Sequence, residues 1–180
     1  MIRVALLSLL LLAPAALRAA ELARVPTADT NACPAFTLRD QFDTAHEFKF
    51  PSAKPIVLAV ADKKGSDEIE AWAHPLAVRF GDRITIPGLA DVSAVPRPLR
   101  GYVQSRFKKA ITHPVMLDWE GDIASRFKYT KGQANVYLIA PDGRILHRVS
   151  GKASEDKLKR LSDEIEALLK TLPQAKARSN

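Results

Sequence analysis

The sequence predicts an α/β domain in which a central mixed sheet is flanked by helices and preceded by a β-hairpin. Three observations carry that expectation. Ile56-Val-Leu-Ala-Val-Ala61 is an unbroken apolar run, β-branched at several positions, as expected of a central strand covered on both faces. Segments of strand and helix character then alternate as far as Phe127. Finally, Gln133 to Gly151 reads as a buried strand, a Pro141-Asp142-Gly143 turn and a second strand.

Taken in order, Met1-Ile2-Arg3 is a short positive start, Val4 to Leu17 is apolar apart from Ser8 and Pro14, and small residues follow at Ala19 and Ala20. This three-part pattern predicts a cleaved signal peptide over residues 1–20. The run is too short to span a bilayer, so no stable membrane span is expected after cleavage. Residues 21–35 carry Pro26, Asp29, Asn31 and Pro34 without a period and read as an extended lead-in. Phe36-Thr-Leu38 and His46-Glu-Phe48-Lys-Phe50 alternate around Asp40 to Thr44, which predicts the hairpin. After the Ile56–Ala61 strand, Ile69, Trp72, Ala73, Leu76 and Phe80 fall at helical spacing, with Ser66 as the expected N-cap and Gly81-Asp82 as the stop.

Arg83 to Ala90 is expected as a second strand, and Pro98 to Lys109 as a helix turning Leu99, Tyr102, Val103 and Phe107 inward. Pro114 to Leu117 is a third strand; a turn over Asp118 to Asp122 then leads, with Asp122 as cap, into a short helix from Ile123 to Phe127. After the terminal hairpin, Leu158, Leu161, Ile165, Leu168, Leu169 and Leu172 mark one face of a helix beginning near Ser154. Residues 36–172 form one domain, and residues 173–180 are expected to be a flexible tail.

The order of elements resembles the thioredoxin-like superfamily, in its redoxin branch of peroxiredoxins and TlpA-type thioredoxins. The resemblance rests on Ala35-Phe-Thr-Leu38, on Pro114-Val-Met-Leu-Asp118 with Gly121-Asp-Ile-Ala-Ser-Arg-Phe127, and on Tyr137-Leu-Ile-Ala-Pro-Asp-Gly-Arg-Ile145. Within that branch, Ala90-Asp-Val-Ser-Ala-Val-Pro96 and Ala134 to Arg144 are similar to the YtfJ-like exported proteins. The resemblance places a reactive dithiol at the start of the first helix, where unpaired N–H groups and the helix dipole stabilise a thiolate. This chain offers Gly65-Ser66-Asp67-Glu68 there, and no cysteine. Asp67 and Glu68 would occupy the favourable anionic positions themselves and repel a second anion. The family's cis-proline falls at Ala134, and a non-proline cis bond costs roughly 3 kcal/mol, so the resemblance implies a reshaped docking backbone.

The single cysteine, Cys33, cannot form an internal disulfide, and an isolated thiol is more often a small apolar residue than a nucleophile. Metal chemistry finds no support. Asp118, Glu120 and Asp122 alternate as in half a calcium loop, but Gly121 precedes the third acid and Tyr129 stands at the twelfth position. His46, His74, His113 and His147 lack ligand spacing. Hydrolase elbows and phosphate loops are missing from the order of residues. The formal charge is +7, or about +5 once Arg3 and Arg18 leave with the signal, a mild excess that does not predict nucleic-acid binding. Arg97, Arg100, Arg106, Lys108 and Lys109, beside Tyr102 and Phe107, form either a solvated helix face or a grip for an anion or acidic partner.

The sequence thus predicts an exported, periplasmic protein of thioredoxin-like fold that uses no cofactor and binds or scaffolds. Its expected partner is another envelope protein or a small anionic ligand. The alternative is a redox accessory protein reducing peroxide or disulfides through Cys33.

Overall fold

The computed structural model describes residues 31–172. The segment expected to be a signal peptide, most of the expected lead-in and the expected tail lie outside the described residues.

Strands β1 (Phe36–Arg39) and β2 (Ala45–Phe48) pair antiparallel, with Phe36 opposite Phe48 and Leu38 opposite His46. Their turn is wound around the buried carboxylate of Asp40, which accepts from the N–H groups of Phe42 (2.8 Å) and Thr44 (2.9 Å) and lies 2.7 Å from His46 Nε2. Burial alone would raise this carboxyl, but the bonds from His46, Thr44 and Phe42 outweigh it and hold the group below the usual carboxylate range. A carboxyl depressed by folding stabilises above its unfolded pKa and loses that contribution as pH falls through the folded value. We expect the urea midpoint to decline below about pH 4, with a shallower acid limb in Asp40→Asn. An unchanged limb would remove Asp40 from the account.

The main sheet has the order β5-β4-β3-β6-β7. Strands β3 (Ile56–Ala61), β4 (Gly88–Asp91) and β5 (Val115–Asp118) run parallel, while β6 (Asn135–Ile139) and β7 (Ile145–Ser150) are antiparallel to their neighbours. The second parallel strand is shorter than the expected Arg83 to Ala90. Gly81–Arg83 forms a 3₁₀ turn, and Ile84 to Pro87 lies beside β3 as an interrupted ladder. Thr85 and Pro87 accept from Val57 and Ala59, but Pro87 has no N–H to give back.

Period-2 alternation along β3 divides the core. Leu58 and Val60 face the hairpin and helix α3 (Asp122–Arg126), where Phe36 stacks on Phe48 at 4.6 Å and meets Phe127 edge-on. Val57 faces helices α1 (Ile69–Phe80) and α4 (Glu155–Thr171), packing with Trp72, Leu76, Phe80, Leu161 and Ile165. Ser154 caps α4 by accepting from the Lys157 N–H. The β5 edge is covered by the hairpin turn: Gln41, fully buried, donates to the carbonyls of Ile111 and His113 and accepts from the Val115 N–H.

Helix α2 (Arg100–Ala110) departs from expectation, because Leu99 and Tyr102 are 51% and 65% exposed. It buries no residue fully; Val103 and Phe107 are half-buried, and Gln104 bonds the Gln41 carbonyl and Asp43. Its apolar stripe is therefore split between the molecule and solvent. The expected cap of α3 is likewise corrected. Asp118, not Asp122, accepts the N–H groups of Gly121, Ile123 and Ala124, because Gly121 at φ 75 turns the loop back over the strand end.

Candidate functional site

The carboxyl ends of parallel strands are where open α/β sheets place their ligands, and here an aspartate stands at each. Asp62 follows β3, Asp91 ends β4 and Asp118 ends β5. All three accept loop N–H groups.

Asp62 Oδ1 accepts from Lys64 and Gly65 at 3.0 Å, and its Oδ2 from Gly132 at 2.8 Å. This carboxylate organises the approach to α1, so Ser66 is not the N-cap: its hydroxyl donates to the Lys63 carbonyl, and Ser66–Glu68 is a 3₁₀ turn ahead of the helix. Ser66 and Asp67 are exposed. Glu68 instead reaches the lead into β6, where its Oε2 accepts from the Ala134 N–H at 3.0 Å. Gly65 is pressed so closely against the same segment that a Cβ there would sit 2.2 Å from the Gln133 carbonyl oxygen. Buried Asn135 fixes this segment from behind through Thr130, Gln133 and Ser150. Among the described residues the cis peptide is Phe50-Pro51, and the bond before Ala134 is trans.

Of the positions singled out from the sequence, Gly65, Glu68 and Ala134 therefore meet. The groove between the start of α1 and the lead into β6 is occupied by the chain's own carboxylate and backbone. Asp62, Gly132, Gln133 and Asn135 complete the arrangement and were missed. The recurrent acid closing each apolar strand, Ala61-Asp62, Ala90-Asp91 and Leu117-Asp118, was the available signal.

Beside it, an open pocket of about 460 Å³ is lined in part by Asp91, Ser93, Glu120, Tyr129 and Lys131. The Tyr129 hydroxyl donates to Asp91. Burial, then this bond, raises the tyrosine far above its usual range; Asp91, despite burial, is held low by Ser93, Tyr129 and Lys131. Both keep fixed protonation states near neutrality, which suits binding better than proton transfer. Among the described residues no group of three His, Cys, Asp or Glu is arranged to hold a metal ion.

The basic segment separates into two sets. Arg100 pairs with Glu120 at 2.7 Å, bonds the Trp119 carbonyl and lies over the Trp119 ring, while Lys108 is 3.9 Å from Asp43. Arg97, Arg106 and Lys109 are exposed, with no ion pair among the described residues.

Cys33 lies elsewhere. Its N–H donates to Gly143 in the β6–β7 turn, and its side chain is buried with Phe36 and Ile145. Because Ile56 faces Ile139 while Val60 faces Asn135, that turn and the start of α1 lie at opposite ends of the sheet, about 20 Å apart along the strand. Burial raises the thiol to about 12. Cys33, expected within an extended lead-in, thus lies in an ordered, enclosed setting. We expect a chromogenic disulfide reagent at pH 8 to label it at least about a hundred-fold more slowly than free cysteine, with full reaction only in urea. Rapid labelling of the folded chain would contradict this enclosure.

No protein-family model matches the sequence, and no curated protein matches it. Solved structures do match in shape. The exposed lipoprotein thioredoxin Etrx1 from Streptococcus pneumoniae is 13% identical, with a TM-score of 0.59 over 73% of this chain and 99% of that one. StoA from Bacillus subtilis is 12% identical, with a TM-score of 0.55 over 73% and 98%. Peroxidoxin BcpB from Mycobacterium tuberculosis is 19% identical, with a TM-score of 0.50 over 79% and 96%. At such identities the likeness is one of fold, and the fold is thioredoxin-like.

Proposed function

We propose that this thioredoxin-like fold, which carries one cysteine rather than a dithiol, binds or scaffolds in the bacterial cell envelope and does not exchange thiols. One observation carries the reading: the start of α1 is closed by Gly65 against Gln133 and by Glu68 on the Ala134 N–H. The groove in which the fold's redox members work is therefore filled from within. The enclosed Cys33, about 20 Å away, offers no substitute nucleophile. Export is supported by the amino-terminal signal pattern and by the likeness in fold to Etrx1, an exposed lipoprotein. The similarity of Ala90 to Pro96 and of Ala134 to Arg144 to the YtfJ-like exported proteins supports the same location. Its partner is another envelope protein or a small anionic ligand.

The test is reduction of a disulfide substrate and of hydrogen peroxide by the purified exported chain, run beside Cys33→Ser. No turnover by either protein is expected. Turnover by the native chain that disappears in Cys33→Ser overturns the proposal and makes Cys33 the working thiol.

A further inference from the structure

Resting on that binding reading, we infer that the outward face of α2 is the docking surface, and that its occupant is an acidic protein segment carrying an apolar anchor. Leu99, Tyr102, Arg106 and Lys109 recur at i, i+3, i+7 and i+10, which aligns them along one side of the helix over about 15 Å. All four are exposed, Tyr102 to 65%. Exposed Arg97 flanks the stripe at the preceding turn.

Charge complementarity selects the partner. From Arg97 to Ala110 the chain has five cations and no acid, and Arg97, Arg106 and Lys109 have no ion pair among the described residues. The other two, Arg100 and Lys108, join Gln104 in holding the opposite side of the helix to Trp119, Glu120 and the hairpin turn. The stripe is therefore presented on a braced helix, which lowers the ordering cost of docking. A tyrosine flanked by arginines has the composition of interface anchors. A membrane surface fits less well, because an interfacial helix buries a wide apolar face and this one exposes only Leu99 and Tyr102. A patch of this length suits a weak, transient complex.

The test is a titration of the isotope-labelled exported chain, followed by amide NMR shifts, with three probes. They are a short Asp/Glu peptide containing one Leu and one Phe, the same peptide with Lys in place of its acids, and phosphatidylglycerol vesicles. The acidic peptide is expected to shift residues 97–110, to weaken with added salt, and to bind about thirty-fold less tightly to Arg106→Glu/Lys109→Glu. Tyr102→Ala should weaken it too, while both variants, altered only at exposed positions, retain the native unfolding midpoint. Saturable shifts with vesicles alone, shifts away from α2, or affinity unchanged by the charge reversal would each overturn the inference. Thiol turnover would instead sink the non-catalytic reading and leave these shifts intact, so the two failures are distinguishable.

Discussion

A cysteine placed at Gly65, the apparent remedy for the missing dithiol, is expected to destabilise the protein by about 3 to 5 kcal/mol and to confer no redox activity. The reason is a backbone contact. A Cβ at this position meets the Gln133 carbonyl oxygen at 2.2 Å, its carbon at 2.3 Å and the Ala134 nitrogen at 2.9 Å. None is the end of a flexible side chain, so the new atom must drive apart two loops cross-linked through Asp62 and Glu68. Gly65→Ala carries the same atom without sulfur and should cost about as much, whereas exposed Ser66→Cys should stay within about 0.5 kcal/mol. A thermal midpoint lower by about 10 °C in both Gly65 variants, but not in Ser66→Cys, is the expected pattern. A native midpoint in Gly65→Cys would mean that the groove can open, and the closed reading would fail with it.

Asp118→Asn, a change of one atom, is expected to cost about 3 kcal/mol, close to the loss in Asp118→Ala. Asp118 is 2% exposed, and both of its oxygens are acceptors: Oδ1 takes the Gly121 N–H, and Oδ2 those of Ile123 and Ala124. An amide has one accepting oxygen and one donating nitrogen, so whichever way it turns, an N–H faces another N–H. The loss should include the packing of Ala124 and Phe127 beneath α3, which joins this loop to the hairpin face of the sheet. Urea midpoints decide the matter. If the asparagine variant matches native while the alanine variant does not, the carboxylate is only filling space.

Much of the architecture was legible because its signals are local. The apolar run of β3, the 3.6-residue period of α1 and α4, the Pro141-Asp142-Gly143 turn and the Ser154 cap each act within a few residues. The errors share a cause. Local capping rules favour Ser66 and Asp122 beside their helices, whereas the structure uses Asp62 and Asp118, one strand end back, because tight loops return the N–H groups to them. A helical period marks a stripe without saying what covers it, so the period points Leu99 and Tyr102 inward although the neighbouring surface covers them only in part.

The sequence by itself determined the order of strands and helices and the one-cysteine limit on thiol chemistry, since periodicity and residue type need no partner. Only the tertiary structure decided that Glu68 closes on Ala134, that Cys33 lies enclosed at the opposite end of the sheet, and that three of five clustered cations are exposed and make no ion pair among the described residues. Those outcomes depend on groups as far apart along the chain as Cys33 and Gly143 being brought within hydrogen-bond reach, and strand register and loop return, not local pattern, set that distance.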